Sequence, residues 1–427
     1  MKLGRAFLCV TLLLCAVLGA GEVAAQNPKL IVKADQPLGS ISPYVYGANY
    51  GPWSMVEPDM LPQAKASAVT YLRFPAGNWG DENDLKPYHI DPFMTFARLL
   101  HAEPSISVRL KGGTPEKAAQ LVHYTNVEKH YDVRYWSIGN EPNLYRDYTV
   151  EQYNRDWRAM AQAMLAVDPK IILVGPDVSQ YPPLSVTDPD SQKAHDWLRT
   201  FLQVNGDLVR IVSIHRYPFP KGTNQPATTI AQLKDSAREW DTIIPDLRKV
   251  IKETTARDLP VAVTEVNSHW SNAVGGEASL DSYYNAIWWA DVLGRLIRQQ
   301  VDIVAFFALI TYSDIGGFGL LSRYDVRPTY YIYKLYQQLG TELLATESTD
   351  ADVTITAARR SDGTLTLLVV NAAVEPKTVT LSGIKSPGQA ELWRLDLDHK
   401  AEKIGSADLA SGSLDLPAQS ASLYIVP

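Results

Sequence analysis

Tyr135-Trp136-Ser137-Ile138-Gly139-Asn140-Glu141-Pro142-Asn143-Leu144 begins as a short apolar run and turns polar at Asn140, and that change decides how the chain is read. The run suits a strand, which Pro142 ends through its fixed φ and missing N–H donor. A carboxamide and a carboxylate are thereby delivered at the strand's C-terminal mouth. Val261-Ala262-Val263-Thr264 repeats the design and runs into Glu265. In a barrel of strand–helix units, strand tips converge on one cleft.

Working outward, eight apolar runs between residues 44 and 307 read as barrel strands. They are Tyr44 to Tyr50, Val69 to Phe74, Ser105 to Leu110, Arg134 to Ile138, Ile171 to Gly175, Val209 to Ile214, Pro260 to Thr264 and Asp302 to Phe307. Most are separated by helical patterns. Thr114-Pro115-Glu116 opens one helix with a cap and a first-turn proline, and Thr149 with Gln152 forms a capping box for another. Further helices are expected from about Thr229 to Lys252, Ser279 to Gln299 and Pro328 to Leu339. The count and alternation predict an α/β fold, a (β/α)8 TIM barrel over residues 43–340, better than an open doubly wound sheet.

After Gly340 the pattern changes to short alternating segments: Val353 to Ala357, Leu365 to Val370, Lys377 to Leu381, Ala390 to Trp393 and Ala421 to Val426. Polar turns between them predict an antiparallel β-sandwich over residues 341–427. Residues 26–42 contain the alternating Leu30-Ile31-Val32-Lys33-Ala34, a strand that can join this second domain.

Residues 1–25 have the pattern of an export signal: Lys2 and Arg5, an apolar run from Ala6 to Leu18, and small residues closing at Val23-Ala24-Ala25. The run is too short to span a bilayer comfortably, so a secreted or periplasmic protein without stable membrane insertion is expected. Both cysteines, Cys9 and Cys15, fall in this segment, which leaves the remainder without disulfides. The net charge of -7, with no basic runs, disfavours nucleic acid as a partner.

Glycosides hydrolyse through oxocarbenium-like transition states that require one acid at the leaving oxygen and one carboxylate on the opposite face. Glu141 is the candidate acid/base and Glu265 the candidate nucleophile. Asn140 can hold a sugar hydroxyl as charge develops. Arg73, ending the second strand, can donate charge-assisted hydrogen bonds to a nucleophile, and Tyr217, after the sixth, can donate its phenol. The loop after the second strand adds Asn78 and Trp79. Trp53, Trp79 and Trp270 follow strand ends and are candidates for sugar stacking, whereas Trp288 and Trp289 lie inside a helix and read as core. His215 and His269 lack metal-ligand spacing and read as hydrogen-bonding groups, so neither a metal nor a cofactor is expected. Lys111, Arg216 and Arg323 are the cations that could meet a uronic acid carboxylate. The ionised partner should raise the Glu141 pKa in the free protein.

Trp136-Ser137-Ile138-Gly139-Asn140-Glu141-Pro142 resembles the fourth-strand signature of the clan of retaining glycoside hydrolases built on a (β/α)8 barrel (clan A). Leu72-Arg73-Phe74-Pro75-Ala76-Gly77-Asn78 and Gly112-Gly113-Thr114-Pro115-Glu116-Lys117-Ala118 resemble its arabinofuranosidase, β-xylosidase and glucuronidase/heparanase-like branches, which also carry a C-terminal β-sandwich. The resemblance implies double displacement on a poly- or oligosaccharide with retained anomeric configuration, Glu265 forming the glycosyl-enzyme and Glu141 acting first as acid and then as base. It also implies that Asn140 contacts the sugar 2-hydroxyl, that Arg73 and Tyr217 orient the nucleophile, and that His215 lines the cleft. The eighth strand departs from the clan pattern, with Phe306 and Phe307 where a subsite tryptophan is often found. Two other readings use the same residues: a carbohydrate-binding barrel without turnover, and a transglycosylase.

Overall fold

The computed structural model describes residues 27–219, 226–271, 276–312, 317–385 and 388–427. The export segment expected over residues 1–25 lies outside them. The first described strand, β1 (Lys29–Ser40), belongs to the second domain and is followed by a closed barrel of eight parallel strands. These are β2 (Gly47–Asn49), β3 (Tyr71–Phe74), β4 (Glu103–Val108), β5 (Tyr135–Ile138), β6 (Ile172–Val178), β7 (Ile211–Arg216), β8 (Val261–Val266) and β9 (Ile303–Phe306). Each pairs with the next, and β9 closes on β2 through Gly47 opposite Ala305 and Ala48 opposite Phe306.

The strands are near-continuously buried on both faces, as parallel strands under a helical layer must be. That layer comprises α1 (Leu61–Ala66), α2 (Trp79–Glu82), α3 (Pro87–Leu100), α4 (Pro115–Val122), α5 (Val150–Val167), α6 (Pro189–Asn205), α7 (Ile230–Ser236), α8 (Trp240–Thr255), α9 (Tyr283–Arg298) and α10 (Tyr330–Tyr336). Local chemistry starts them. The Thr114 hydroxyl accepts the Lys117 N–H at α4, and Thr149 and Gln152 exchange both bonds of the capping box at α5. The helix expected from Thr229 to Lys252 is α7 and α8 joined by a 3-10 turn over Ala237–Glu239. Trp288 and Trp289 are buried in α9.

The two ends of the barrel differ in chemistry. At the N-terminal floor Tyr44, Tyr71 and Tyr135 pack ring against ring, with centroids 5.7 to 5.9 Å apart. At the C-terminal end the strands bury polar side chains instead, among them Asn49, Arg73, Asp177, His215 and Glu265.

After the barrel come β10 (Glu342–Ser348), β11 (Val353–Arg359), β12 (Leu365–Asn371), β13 (Lys377–Ser382), β14 (Gln389–Leu395), β15 (Lys400–Asp408), β16 (Ser413–Leu416) and β17 (Ser420–Val426). With β1 they form a mostly antiparallel nine-stranded sheet in the order β15-β14-β17-β12-β11-β10-β1-β13-β16. The sheet curls over its own apolar core, which includes Leu30, Ile355, Val369, Val379, Leu392 and Tyr424. β1 pairs antiparallel with β10 and parallel with β13. The sheet is fixed to the barrel by specific bonds. Tyr284 of α9 donates to the Ala372 carbonyl (2.7 Å), Thr354 donates to Asp291 (2.9 Å), and Lys234 with Arg238 clamps Asp352. Among the described residues no helix is long and apolar enough to cross a membrane.

Candidate active site

Glu265 is held in one geometry by three donors from two strand ends, those of β3 and β7. Arg73 Nη1 reaches its Oε1 at 2.7 Å, the Gly77 N–H reaches the same oxygen at 3.1 Å, and the Tyr217 hydroxyl donates to Oε2 at 2.7 Å. The carboxylate lies inside β8, which runs two residues further than the sequence pattern suggests, and it is only 3% exposed. Gly77 adopts φ +64, a conformation that a side chain would strain, and so can turn its bare N–H onto the carboxylate.

Arg73 is itself shared. Nη1 also donates to Asn49 (3.1 Å), while Nη2 donates to Asn140 Oδ1 (2.9 Å) and Asp177 Oδ2 (3.1 Å). Burial would weaken its charge, but the carboxylates of Asp177 and Glu265 outweigh this and raise its pKa. Burial would likewise raise the Asp177 carboxyl, yet Arg73 and His215 hold it below its ordinary value. The Tyr217 phenol is pushed up by burial and by the Glu265 and Glu141 charges, so it stays a donor.

Glu141 sits differently. Its backbone is left-handed at φ 48, ψ 50, which costs a residue with a side chain about 1 kcal/mol. Its side chain, 16% exposed, meets His215 Nδ1 at 3.0 Å and lies beside Ser179. His215 is completely buried, and its Nδ1 also lies 3.8 Å from Glu265 Oε2, with Nε2 3.8 Å from Asp177 Oδ1. Burial would lower the imidazole pKa, but Glu265, Glu141 and Asp177 more than offset that and raise it. Burial would raise the Glu141 carboxyl; the hydrogen bond and charge of His215 prevail and hold it below the ordinary value. This corrects the expectation of a raised Glu141. An imidazole stands between the two carboxylates, 3.0 Å from Glu141 and 3.8 Å from Glu265.

Asn140 gives its Oδ1 to Arg73 and its Nδ2 to Asn78 Oδ1 at 3.2 Å, so the carboxamide is oriented from both ends. Phe307, and not Phe306, faces the cleft. Trp53 stacks near it (6.2 Å) and Tyr217 meets it edge-on (6.3 Å), while Phe306 packs inward on Trp289. Trp79 turns edge-on to His89 of α3. Trp270 is half exposed on the loop after β8, and His269, fully buried beside it, meets Ser268 and Thr228. Arg216 is engaged by Glu239 and Arg323 by Glu57, whereas Lys111 lies exposed over the Tyr145 ring. Sequence reasoning passed over Asn49, Asp81 and Asp177. Asn49 and Asp177 sit on strand tips, so the rule that found both glutamates would have found them.

Glu141, His215 and Glu265 each bring one donor atom within 4.8 Å of the others, a spacing that a cation could bridge. The Arg73 guanidinium already occupies Glu265 Oε1, so this cluster is supplied with a cation by the chain itself.

Residues 119–382 match the sequence profile of Glycosyl hydrolases family 39. The chain belongs to that family. Both glutamates fall within the family 39 match, and Arg73 and Asn78 precede it. Among similar proteins are a β-xylosidase of Geobacillus stearothermophilus, 25% identical over 273 residues (57% of this chain, 48% of the relative), and alpha-L-arabinofuranosidase C of Emericella nidulans, 24% identical over 281 residues (54% of each). The chain spans about half the length of these curated relatives. The fold is also that of a solved alpha-L-arabinofuranosidase from Thermotoga maritima, with a TM-score of 0.73 over 93% of this chain and 99% of that one at 18% identity.

Proposed function

We propose that this family 39 chain is a retaining glycoside hydrolase in which Glu265 is the nucleophile and Glu141 the acid/base. One observation carries the reading: an oxygen of Glu141 and one of Glu265 lie within 4.8 Å of each other. Retaining enzymes keep their two carboxyl groups about 5 to 5.5 Å apart, whereas inverting enzymes need roughly 6.5 to 9.5 Å to admit a water. The asymmetry of the pair supports the roles. A carboxylate with three donors is fixed for attack, and one that meets an imidazole can take up and release a proton.

In the first step Glu141, protonated through its contact with His215, gives that proton to the leaving oxygen as a Glu265 oxygen attacks the anomeric carbon and the bond from that carbon to the leaving oxygen breaks. In the second, Glu141 removes a proton from water, the resulting oxygen bonds to the anomeric carbon, and Glu265 departs. Arg73, Gly77 and Tyr217 keep the attacking oxygens in place throughout, and Asn140 is set to meet the neighbouring hydroxyl. The similar proteins named above make xylosides and arabinofuranosides the first glycosides to test, as parts of poly- or oligosaccharides. We also read residues 1–25 as an export signal, which N-terminal sequencing of the protein recovered outside the cytoplasm would test by a start at Gln26.

The mechanism is tested by proton NMR of the first product formed from a glycoside that the protein cleaves. The anomer of the substrate is expected; appearance of the opposite anomer before mutarotation rules out double displacement.

A further inference from the structure

We propose that Asp81 is a positioning residue for Glu141, fixing the left-handed backbone of that glutamate by accepting the Asn140 N–H. The proposal rests on the reading of Glu141 as proton donor.

Asp81 lies in α2, the single turn that follows β3, and is 3% exposed. Its Oδ1 accepts the Leu110 N–H at 2.9 Å and, more loosely, the Lys111 N–H at 3.5 Å; its Oδ2 accepts the Asn140 N–H at 2.8 Å. One carboxylate from the loop after β3 therefore ties together the loops after β4 and β5. Burial pushes this carboxyl up to about 6, and its backbone donors restrain the rise, so at neutral pH both oxygens are free to accept.

The stretch it holds is unusual. Gly139 has φ 83 and Glu141 φ 48, so the chain leaves β5 through two positive-φ residues flanking Asn140. Four hydrogen bonds pin it: Gly139 N–H to the Val108 carbonyl (3.0 Å), the Ser107 hydroxyl to the Gly139 carbonyl (3.1 Å), Asn140 N–H to Asp81, and Leu144 N–H to the Glu141 carbonyl (2.9 Å). Two depend on side chains and grip one peptide plane from its two sides, Ser107 at the carbonyl and Asp81 at the N–H; Asp81 alone brings a charge and reaches a third loop. The peptide plane it fixes is the one preceding Asn140, and rotation of that plane would swing Glu141 away from His215 Nδ1. Arg109 steadies Asp81 from behind, its Nε donating to the Asp81 carbonyl at 3.1 Å. A carboxylate is the group required, because Asp81→Asn keeps the shape but cannot offer an acceptor to both Leu110 and Asn140.

The test compares wild type, Asp81→Asn, Asp81→Glu and Glu141→Gln on one sugar carrying either 2,4-dinitrophenolate, which departs without a proton, or a second sugar, which needs one. Glu141→Gln should lose activity mainly on the second substrate. Asp81→Asn should show the same imbalance, about 10²-fold on the sugar leaving group and less than about threefold on dinitrophenolate, because a displaced acid fails only where protonation is needed. Equal losses on both substrates, or none on either, while Glu141→Gln keeps its imbalance, would overturn the role of Asp81. No imbalance in Glu141→Gln would instead overturn the reading of Glu141, and this proposal with it. If Asp81→Asn does not fold, Asp81→Glu, which keeps the charge but shifts it by a methylene, is judged by the same ratio.

Discussion

Two glutamates on opposite sides of one cleft are treated in opposite ways by the chain around them. Glu265 is locked by a guanidinium, a backbone N–H and a phenol inside a strand, whereas Glu141 projects from a left-handed turn against a titratable partner, His215. The difference shows how two chemically identical side chains can be given separate tasks by donors alone: many fixed donors hold an anion, and one titratable donor lets a proton come and go.

The sharpest way to break this comparison is to remove each carboxylate and offer azide in its place. Glu265→Ala should lose roughly 10⁴-fold or more in kcat with a dinitrophenyl glycoside, and azide should restore turnover to give the glycosyl azide of inverted configuration. Glu141→Ala should give the azide of retained configuration. Azide products of the same configuration from both variants would show that the two residues do not act on opposite faces.

A smaller effect should follow from His215→Asn, about ten- to a hundredfold in kcat/KM from the lost contact to Glu141. Its pH signature has a defined sign. His215 has a raised folded pKa, so its stabilisation is full below the ordinary histidine value of about 6.5 and is lost as pH rises through the folded value. Glu141 has a lowered folded pKa, so its contribution is full above the ordinary value of about 4.3 and is lost as pH falls through the folded value. Wild type should therefore melt highest between these limits, and His215→Asn should flatten the alkaline decline. An unchanged decline would remove His215 from the pair.

The smallest expected effect concerns the aromatic wall. Phe307→Ala should raise KM about three- to tenfold, the worth of one aromatic contact, and Trp270→Ala less than that. A larger loss at Trp270 would move the sugar platform to the loop after β8.

The barrel and both glutamates were legible because a polar residue at the end of an apolar run is a strong local signal. Arg73, Asn140 and Tyr217 followed from the same rule: Arg73 and Tyr217 bond to Glu265, and Asn140 bonds to Arg73. What was not legible depends on distance through space. Nothing in the sequence places His215 between residues 141 and 265, so the direction of the Glu141 shift was read with the wrong neighbour. Asp81 lies inside a helical turn and its partners are backbone N–H groups of two other loops, which leave no trace in side-chain pattern. In the second domain β15 and β16 are the sheet's two edges. β15 is largely exposed and carries Gly405, so its alternation is weak, and β16 has only four residues.

The seam between β1 and β10 has a consequence for how the protein comes together. Lys29 bonds to Thr349 across 320 residues, so a strand made at the beginning waits for partners made near the end. Closure entropy of that size is recovered only once nearly all the polymer is present. Trimming the first forty positions would consequently injure the last eighty, uncovering the flanks of β10 and β13 and inviting a neighbouring molecule to fill the vacated lane.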